Sequence, residues 1–189
     1  RRARAGMGRT FQHGELFVDL TVREHLVLAW RRRFAPGRLW VDLVPGAAWR
    51  KPDPAETARV AQLLEALGIV ELADTPVGTL PFGVSKLVEL GRALAASPQL
   101  MLLDEPFAGL DAAESTRLAN ALTDVVASEH VAVLVVDHDV DTVLSRSKHV
   151  VVLDAGKVIA RGTAAQIRAN ADVRRAYLGD SVGGPGGAE

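Results

Sequence analysis

The feature that most constrains the fold is a short apolar run that ends in two adjacent carboxylates. Residues 100–103 are apolar at every position, and Asp104, Glu105 and Pro106 follow directly. A continuous apolar run of this length is typical of a strand buried on both faces, as in a parallel sheet. We therefore predict a buried strand that delivers both acids to the carboxyl edge of a sheet.

A second apolar run has the same organisation. Residues 131–136 are followed by Asp137 and His138. We predict that this run is a buried strand, parallel and adjacent to the first, with Asp104 and His138 at the same edge. Ligands of such sheets bind beyond the carboxyl ends of the strands, so this edge is the candidate binding site.

Signals for helices lie between and around these strands. An apolar face predicts a helix over residues 21–30, and capping patterns predict helices that follow Asp53 and Asp111. Further helices are predicted over residues 85–96 and from Thr163. Strands alternating with helices predict an α/β domain with a mainly parallel sheet. We also predict a hairpin over residues 150–160, a long surface loop over residues 34–54 and a solvated face at Arg31, Arg32 and Arg33.

Composition excludes several classes of protein. The 189 residues suffice for one domain with a sizeable core. A net charge of -1 argues against a nucleic-acid partner held by a basic surface. The absence of cysteine excludes disulfides and thiolate metal sites. No apolar run approaches the roughly 18 residues of a membrane span.

The two adjacent acids suit phosphate chemistry. Successive side chains at a strand end point in different directions, so Asp104 and Glu105 can do different jobs. One carboxylate can hold Mg²⁺, and the other can orient or deprotonate a water that attacks a phosphate. On these residues alone, the simpler alternative of a polar strand end stays open.

With its neighbours, the pair resembles the ABC ATPase family, whose motifs recur in order along nearly the whole chain. Asp104 matches the Walker B aspartate, and Glu105 matches the catalytic glutamate. Gln12 matches the glutamine of the Q-loop, and His138 matches the switch histidine. Residues 80–84, with Gly83, match the signature loop, and residues 108–111, with Asp111, match the D-loop. The resemblance implies a P-loop NTPase-like α/β fold with a mainly parallel sheet. It places an ATPase domain over residues 1–179 and a helical subdomain over roughly 13–97. The Gly-rich composition of the last residues predicts a disordered tail over 180–189.

The family match implies a role for each site residue. Glu105 and His138 are expected to be catalytic, and Asp104 and Gln12 to hold Mg²⁺. Gly83 and Asp111 are expected to contact ATP, with Gly83 serving the nucleotide of an opposing subunit. Two subunits would then enclose two ATP molecules.

Two departures from the family pattern stand out. The sequence holds no Gly-x-x-x-x-Gly-Lys-Ser/Thr motif, the phosphate-binding loop that the family carries upstream of its Q-loop. We therefore expect that the 189 residues begin downstream of that loop and alone have negligible ATPase activity. In the signature loop, Pro81 and Val84 stand where many members have serine and glutamine, and Pro81 offers phosphate neither a hydroxyl nor an N–H.

The subgroup resemblance is to branched-chain amino acid importers, through residues 8–12, 20–26 and 177–179. It implies permease subunits and a second ATPase subunit as partners, a solute-binding protein as an indirect one, and a place on the cytoplasmic face of the membrane. Two alternatives remain: a catalytically silent ABC-type module and a non-transport ABC ATPase. The latter normally carries a coiled-coil insertion, zinc module or basic extension, and none is present.

Overall fold

The computed structural model describes residues 6–9, 16–36 and 53–178. It divides into two compact units, Arg1–His138 and Asp139–Glu189. Gln12, most of the predicted 34–54 loop and the predicted 180–189 tail lie outside the described residues. The predictions made for them stay predictions.

In the part of the first unit that the structure describes, there are a three-stranded sheet and four α-helices. Along the chain these are β1 (Met7–Arg9), α1 (Val22–Phe34), α2 (Pro54–Ala66), α3 (Phe82–Ala95), β2 (Leu100–Asp104), α4 (Ala112–Glu129) and β3 (Ala132–Val136). The strand order is β1-β2-β3, and both pairings are parallel. Because Asp104 pairs with Val136, β2 and β3 end together. The predicted neighbouring parallel strands and their shared edge are confirmed.

The burial of the strands differs from the prediction. Met101 and Leu103 of β2 point into the core that the helices contribute to, and are 1% and 3% exposed. Leu134 and Val136 of β3 point the other way and are each 57% exposed. The prediction that both faces are buried is therefore wrong, because the described helices of the first unit pack on the face that carries Met101 and Leu103.

Local capping signals account for several helix starts. Thr21 and Glu24 form a capping box at α1, and Asp111 and Glu114 form one at α4. Asp53 caps α2 by accepting the N–H of Ala55. These starts follow the sequence prediction, although α1 continues to Phe34, beyond its predicted end.

Helix α3 begins earlier than predicted. Its first residue is Phe82, so part of the predicted signature loop is helical. Pro81 occupies the N-cap position with φ −56° and ψ 150° and makes no side-chain cap. Proline has the right φ for this position, so the helix starts directly after it.

The burial of Arg31 contradicts the prediction that Arg31, Arg32 and Arg33 form a solvated face. The Arg31 side chain is 2% exposed and forms an ion pair with Glu56 of α2. Arg31 Nε and Nη2 donate to the two carboxylate oxygens at 2.7 and 2.8 Å. The bidentate geometry compensates part of the desolvation of both charges and joins α1 to α2.

The second unit is built around a hairpin. Its elements are α5 (Val140–Arg146), β4 (Val150–Asp154), β5 (Lys157–Gly162), α6 (Ala164–Ala169) and α7 (Ala171–Val173). Strands β4 and β5 pair antiparallel, as predicted. Thr163 caps α6, and Leu144, Ile167 and Val173 form much of a small core. None of the helices in the described ranges is long and apolar enough to cross a membrane.

Candidate active site at the end of the parallel sheet

Glu105 leaves β2 in an unusual backbone conformation. Its φ is +44°, in the left-handed region that side-chain-bearing residues rarely adopt. The conformation is held because the Glu105 N–H donates to the carbonyl of Val136 at 2.7 Å. Left-handed backbone costs a non-glycine residue about 1–2 kcal/mol, and such residues cluster at functional sites. The chain thus leaves the extended conformation of β2 at Glu105.

His138 lies beside Glu105 at the end of β3. The distance from His138 Nδ1 to Glu105 Oε1 is 3.6 Å, and that to Asp137 Oδ1 is 3.7 Å. The His138 side chain is 72% exposed, whereas that of Glu105 is 31% exposed. The structure therefore brings the predicted base and the predicted switch histidine together at the edge, with the imidazole accessible to a ligand.

Asp137 is a site residue whose role the sequence motifs did not predict. Its side chain is only 1% exposed, and Oδ2 accepts the N–H of Phe107 at 3.5 Å. This carboxylate therefore links the end of β3 to the loop that follows Glu105. A buried carboxylate is expected to be paired. The sequence placed Asp137 at this edge because it directly follows an apolar run, but did not predict its contact with the loop after Glu105.

Asp104 is the last residue of β2, at the carboxyl edge of the sheet. It is opposite Val136 in the register, and its side chain is half-buried. No group of three His, Cys, Asp or Glu side chains that could hold a metal occurs within residues 6–9, 16–36 and 53–178. Mg²⁺ commonly uses one or two carboxylates together with waters and substrate phosphates. A single strand-end carboxylate therefore fits Mg²⁺ brought with a nucleotide better than a closed protein cage.

The predicted D-loop is a tight turn between β2 and α4. Gly109 has φ +78°, which favours glycine. Asp111 then caps α4: its Oδ1 accepts the Glu114 N–H at 2.8 Å, while Glu114 Oε2 accepts the Asp111 N–H at 3.1 Å. The Asp111 side chain therefore has a structural role, and its predicted contact with ATP stays a prediction.

Gly83, the predicted signature glycine, packs against this same capping box. It is the second residue of α3 and is buried. A Cβ at this position would lie 2.4 Å from Oε1 and 2.5 Å from Cδ of Glu114. Next to it, Phe82 approaches Gly109, where an added Cβ would meet the Phe82 ring at 3.1 Å. The first turn of α3 and the D-loop are thus in close contact.

A buried lysine near the site was also not predicted from the sequence. Lys86 is 7% exposed, pairs with Glu89 at 3.3 Å and lies over the ring of Phe82. Lys86, Glu89 and Asp104 border one small cavity between α3, β2 and α4. The helical spacing of Lys86 and Glu89 would have predicted the pair but not its burial.

Family models match both parts of the chain. A model described as "ABC transporter" matches residues 1–108. A second, described as "Branched-chain amino acid ATP-binding cassette transporter", matches residues 157–182. The second match covers β5 and the short helices after it.

Relatives are similar over most of the chain. The high-affinity branched-chain amino acid transport ATP-binding protein BraF of Pseudomonas aeruginosa is 36% identical over 179 residues, which is 95% of this chain and 70% of the relative. LivG of Escherichia coli, with the same description, is 34% identical with the same coverage. The lipopolysaccharide export system ATP-binding protein LptB of Haemophilus influenzae is also 34% identical, over 95% of this chain and 68% of the relative.

Solved structures agree with the fold. The ADP conformation of MJ1267, an ATP-binding cassette of an ABC transporter, superposes with a TM-score of 0.76 at 26% identity, covering 95% of this chain and 70% of that one. CbiO1 from Clostridium perfringens gives 0.72 at 26% identity, covering 92% and 62%. With the family models and these relatives, the parallel sheet and the paired Glu105 and His138 lead to one conclusion: the chain belongs to the ABC transporter family, as an ATP-binding subunit.

Proposed function

We propose that the subunit hydrolyses ATP to drive solute import, with branched-chain amino acids as the solute class. The observation that carries the proposal is the position of Glu105 beside His138, at the edge where Asp104 ends β2. The names of BraF and LivG and the match of residues 157–182 support the solute class. LptB and LivG are equally identical to this chain, so identity alone does not separate lipid export from amino-acid import. The family match at residues 157–182 favours amino-acid import.

The chemistry follows from the different environments of the two acids. Water is a poor nucleophile towards phosphate until a base orients it and accepts its proton. Glu105 fits that task, because the chain leaves the extended conformation of β2 at this residue and part of its side chain is open to solvent. Asp104, with Gln12, would hold Mg²⁺, which when bound neutralises charge on the phosphates.

His138 would contact the terminal phosphate of ATP. Its imidazole is exposed, and two carboxylates lie within 4 Å of Nδ1. These carboxylates favour a ring orientation in which Nδ1 carries the proton and faces Glu105 and Asp137. Gly83 and Asp111 would complete a second nucleotide surface that serves an opposing ATPase subunit. The subunit would act on the cytoplasmic face of the membrane with permease subunits, and a solute-binding protein would deliver the substrate.

Substitution of the two acids tests the assignment. In the subunit expressed from its own gene, Glu105→Gln keeps the shape of the side chain but removes its basicity. General-base steps contribute about 10²–10⁴-fold, so ATP turnover should fall by at least about 10² while ATP affinity is kept. Asp104→Asn is the matched variant, one residue away with the same loss of charge. It should instead weaken Mg²⁺-dependent ATP binding.

The measurements are turnover by phosphate release and ATP affinity with and without Mg²⁺. Size-exclusion chromatography of Glu105→Gln with ATP tests the second nucleotide surface, because trapped ATP should hold two subunits together. Near-parental turnover of Glu105→Gln, or a loss of ATP affinity equal to that of Asp104→Asn, would refute the roles of base and metal ligand. Uptake of labelled leucine, isoleucine and valine by the assembled transporter tests the solute class separately.

A further inference from the structure

The loop that follows β2 is fastened to the end of β3 at two points. The Glu105 N–H donates to the carbonyl of Val136 at 2.7 Å. Two residues further on, the Phe107 N–H donates to Oδ2 of Asp137 at 3.5 Å. The loop that carries the candidate base therefore has one main-chain anchor and one side-chain anchor, on successive residues of the neighbouring strand end.

The other carboxylate oxygen of Asp137 lies near the ring of His138. Oδ1 is 3.7 Å from His138 Nδ1, and Oε1 of Glu105 is 3.6 Å from the same nitrogen. Contacts of this length are common in active sites without substrate and shorten when the substrate binds. One carboxylate thus borders both the imidazole and the loop that carries Glu105.

Burial keeps the Asp137 carboxylate in place. Its side chain is 1% exposed, whereas that of His138 is 72% exposed. A buried carboxylate holds its partners firmly, because an unpaired charge is costly away from water. The donor residue Phe107 is itself part of the core of the first unit and is 8% exposed. Asp137 is therefore a fixed point beside two groups that are more open to solvent.

Glu105 depends on contacts of this kind. Its φ of +44° is disfavoured for a residue with a side chain, and such a conformation persists only where the surroundings hold it. The Ala108 N–H closes the turn by donating to the Glu105 carbonyl at 3.2 Å. The Phe107 anchor lies inside this turn, so loss of the Asp137 carboxylate would free the chain on the far side of Glu105.

We propose that Asp137 is a positioning residue for ATP hydrolysis, whose carboxylate anchors the loop that carries Glu105 and orients the ring of His138. The base and the imidazole are thereby fixed relative to each other. This inference rests on the proposed function, which makes Glu105 the base and His138 a phosphate contact. It gives a role to the residue before the histidine, to which the motif match assigned none.

Two substitutions of Asp137 separate its two contacts. An amide has only one oxygen, so Asp137→Asn can accept from Phe107 or from His138 but not from both, and Asp137→Ala accepts from neither. Asp139→Asn is the matched control, because it removes the same charge two residues along the chain. Asparagine caps a helix as well as aspartate does, so this control keeps the start of α5.

NMR of the complete subunit without nucleotide tests the contacts themselves. Asp137→Ala should speed exchange of the Phe107 amide by about tenfold and lower the share of His138 rings protonated at Nδ1, read from their ¹⁵N shifts, by about two- to fivefold. Asp137→Asn should cause one of these changes but not the other, and Asp139→Asn neither. Because Asp137→Asn keeps the shape of the side chain, it decides the question even where Asp137→Ala does not fold. If Asp137→Asn leaves both signals unchanged, the shared carboxylate is refuted.

ATP turnover per ATP-binding subunit tests the positioning role. Asp137→Asn should lower kcat by about tenfold, the loss expected from one hydrogen bond to a charged group. Asp137→Ala should lower it by about 10²-fold, as does a misplacement of about 1 Å. KM for ATP should stay within about threefold, because the other phosphate contacts are untouched. Asp139→Asn should keep kcat within about twofold.

The outcomes separate the two proposals. If Asp139→Asn lowers kcat as much as Asp137→Asn, the effect is one of charge and the positioning role is refuted. Parental kcat in Asp137→Asn, with one NMR signal changed, refutes it as well. If the unmodified subunit shows no turnover, the proposed function fails, and the exchange and ring signals still decide whether Asp137 holds the loop and the imidazole.

Discussion

The contact between Gly83 and Glu114 makes a sharp prediction about why residue 83 is glycine. A Cβ would lie 2.4 Å from Glu114 Oε1 and 2.8 Å from its Cγ, well inside van der Waals contact. The Glu114 carboxylate is not free to retreat, because Oε2 accepts the N–H of Asp111 at 3.1 Å. Gly83→Ala must therefore displace Glu114 and break its half of the capping box.

The cost follows from the two interactions that are disturbed. Loss of a helix cap costs about 0.5–2 kcal/mol, and overpacking a tight contact about 1–3 kcal/mol. The higher helix propensity of alanine stabilises α3 by up to about 1 kcal/mol relative to glycine and offsets part of this cost. We expect Gly83→Ala to lower the free energy of unfolding by about 0.5–4 kcal/mol, the sum of the two costs less the gain in helix propensity. In a Glu114→Ala background, the same change should be neutral or stabilising.

The assay is a double-mutant cycle by urea denaturation of the parent, Gly83→Ala, Glu114→Ala and the double variant. Additive effects, within about 0.5 kcal/mol, would refute the steric argument. ATP turnover of the double variant adds a second result. If turnover returns with stability, the glycine serves internal packing. If turnover stays low, Gly83 also serves the close approach of a nucleotide.

Two further predictions concern buried titratable groups. Burial, reinforced by the positive charge of Arg92, lowers the pKa of His25 below 6.5 despite the hydrogen bond to the Thr21 carbonyl and the charge of Glu24. Neutral His25 contributes its full stabilisation above the unfolded-state pKa of about 6.5, and this contribution is lost as pH falls towards the folded-state pKa. Urea titrations between about pH 7.5 and pH 5.5 should therefore show a smaller loss of stability for His25→Gln than for the parent. Glu56→Ala should cost about 3–5 kcal/mol, because it leaves the Arg31 charge buried without its bidentate partner. Arg31→Met with Glu56→Leu should recover most of that loss in the same urea assay, and failure to recover it would contradict the electrostatic explanation.

The sequence predicted those parts of the fold whose signals are local. The two apolar runs and the polar residues after them located β2, β3 and the edge that joins Glu105 to His138. Local patterns such as Asp111 with Glu114 located helix starts, since the capping side chain and its N–H lie within one turn.

Two of the errors arose where the outcome depends on a partner distant in sequence, and a third from misreading a local motif. Apolar runs record a preference for burial but not which layers are present, so the exposure of Leu134 and Val136 was missed. Arg31 was expected in solvent because its partner, Glu56, lies on another helix. The early start of α3 at Phe82 was missed because the motif was read as a loop, although Pro81 suits a helix N-cap.

The sequence motif and the structure give two different reasons for glycine at position 83. The motif predicts glycine at this position because a backbone must approach phosphate, whereas the structure requires glycine because Glu114 occupies the space of a side chain. Either reason alone would explain the residue, so its identity does not separate nucleotide binding from internal packing. The N–H groups in the first turn of α3 are a more direct test, because a helix leaves them without intrahelical partners and Pro81 provides no side-chain cap. Protection of these amides on addition of ATP would therefore support a nucleotide role for the signature turn more strongly than the glycine itself.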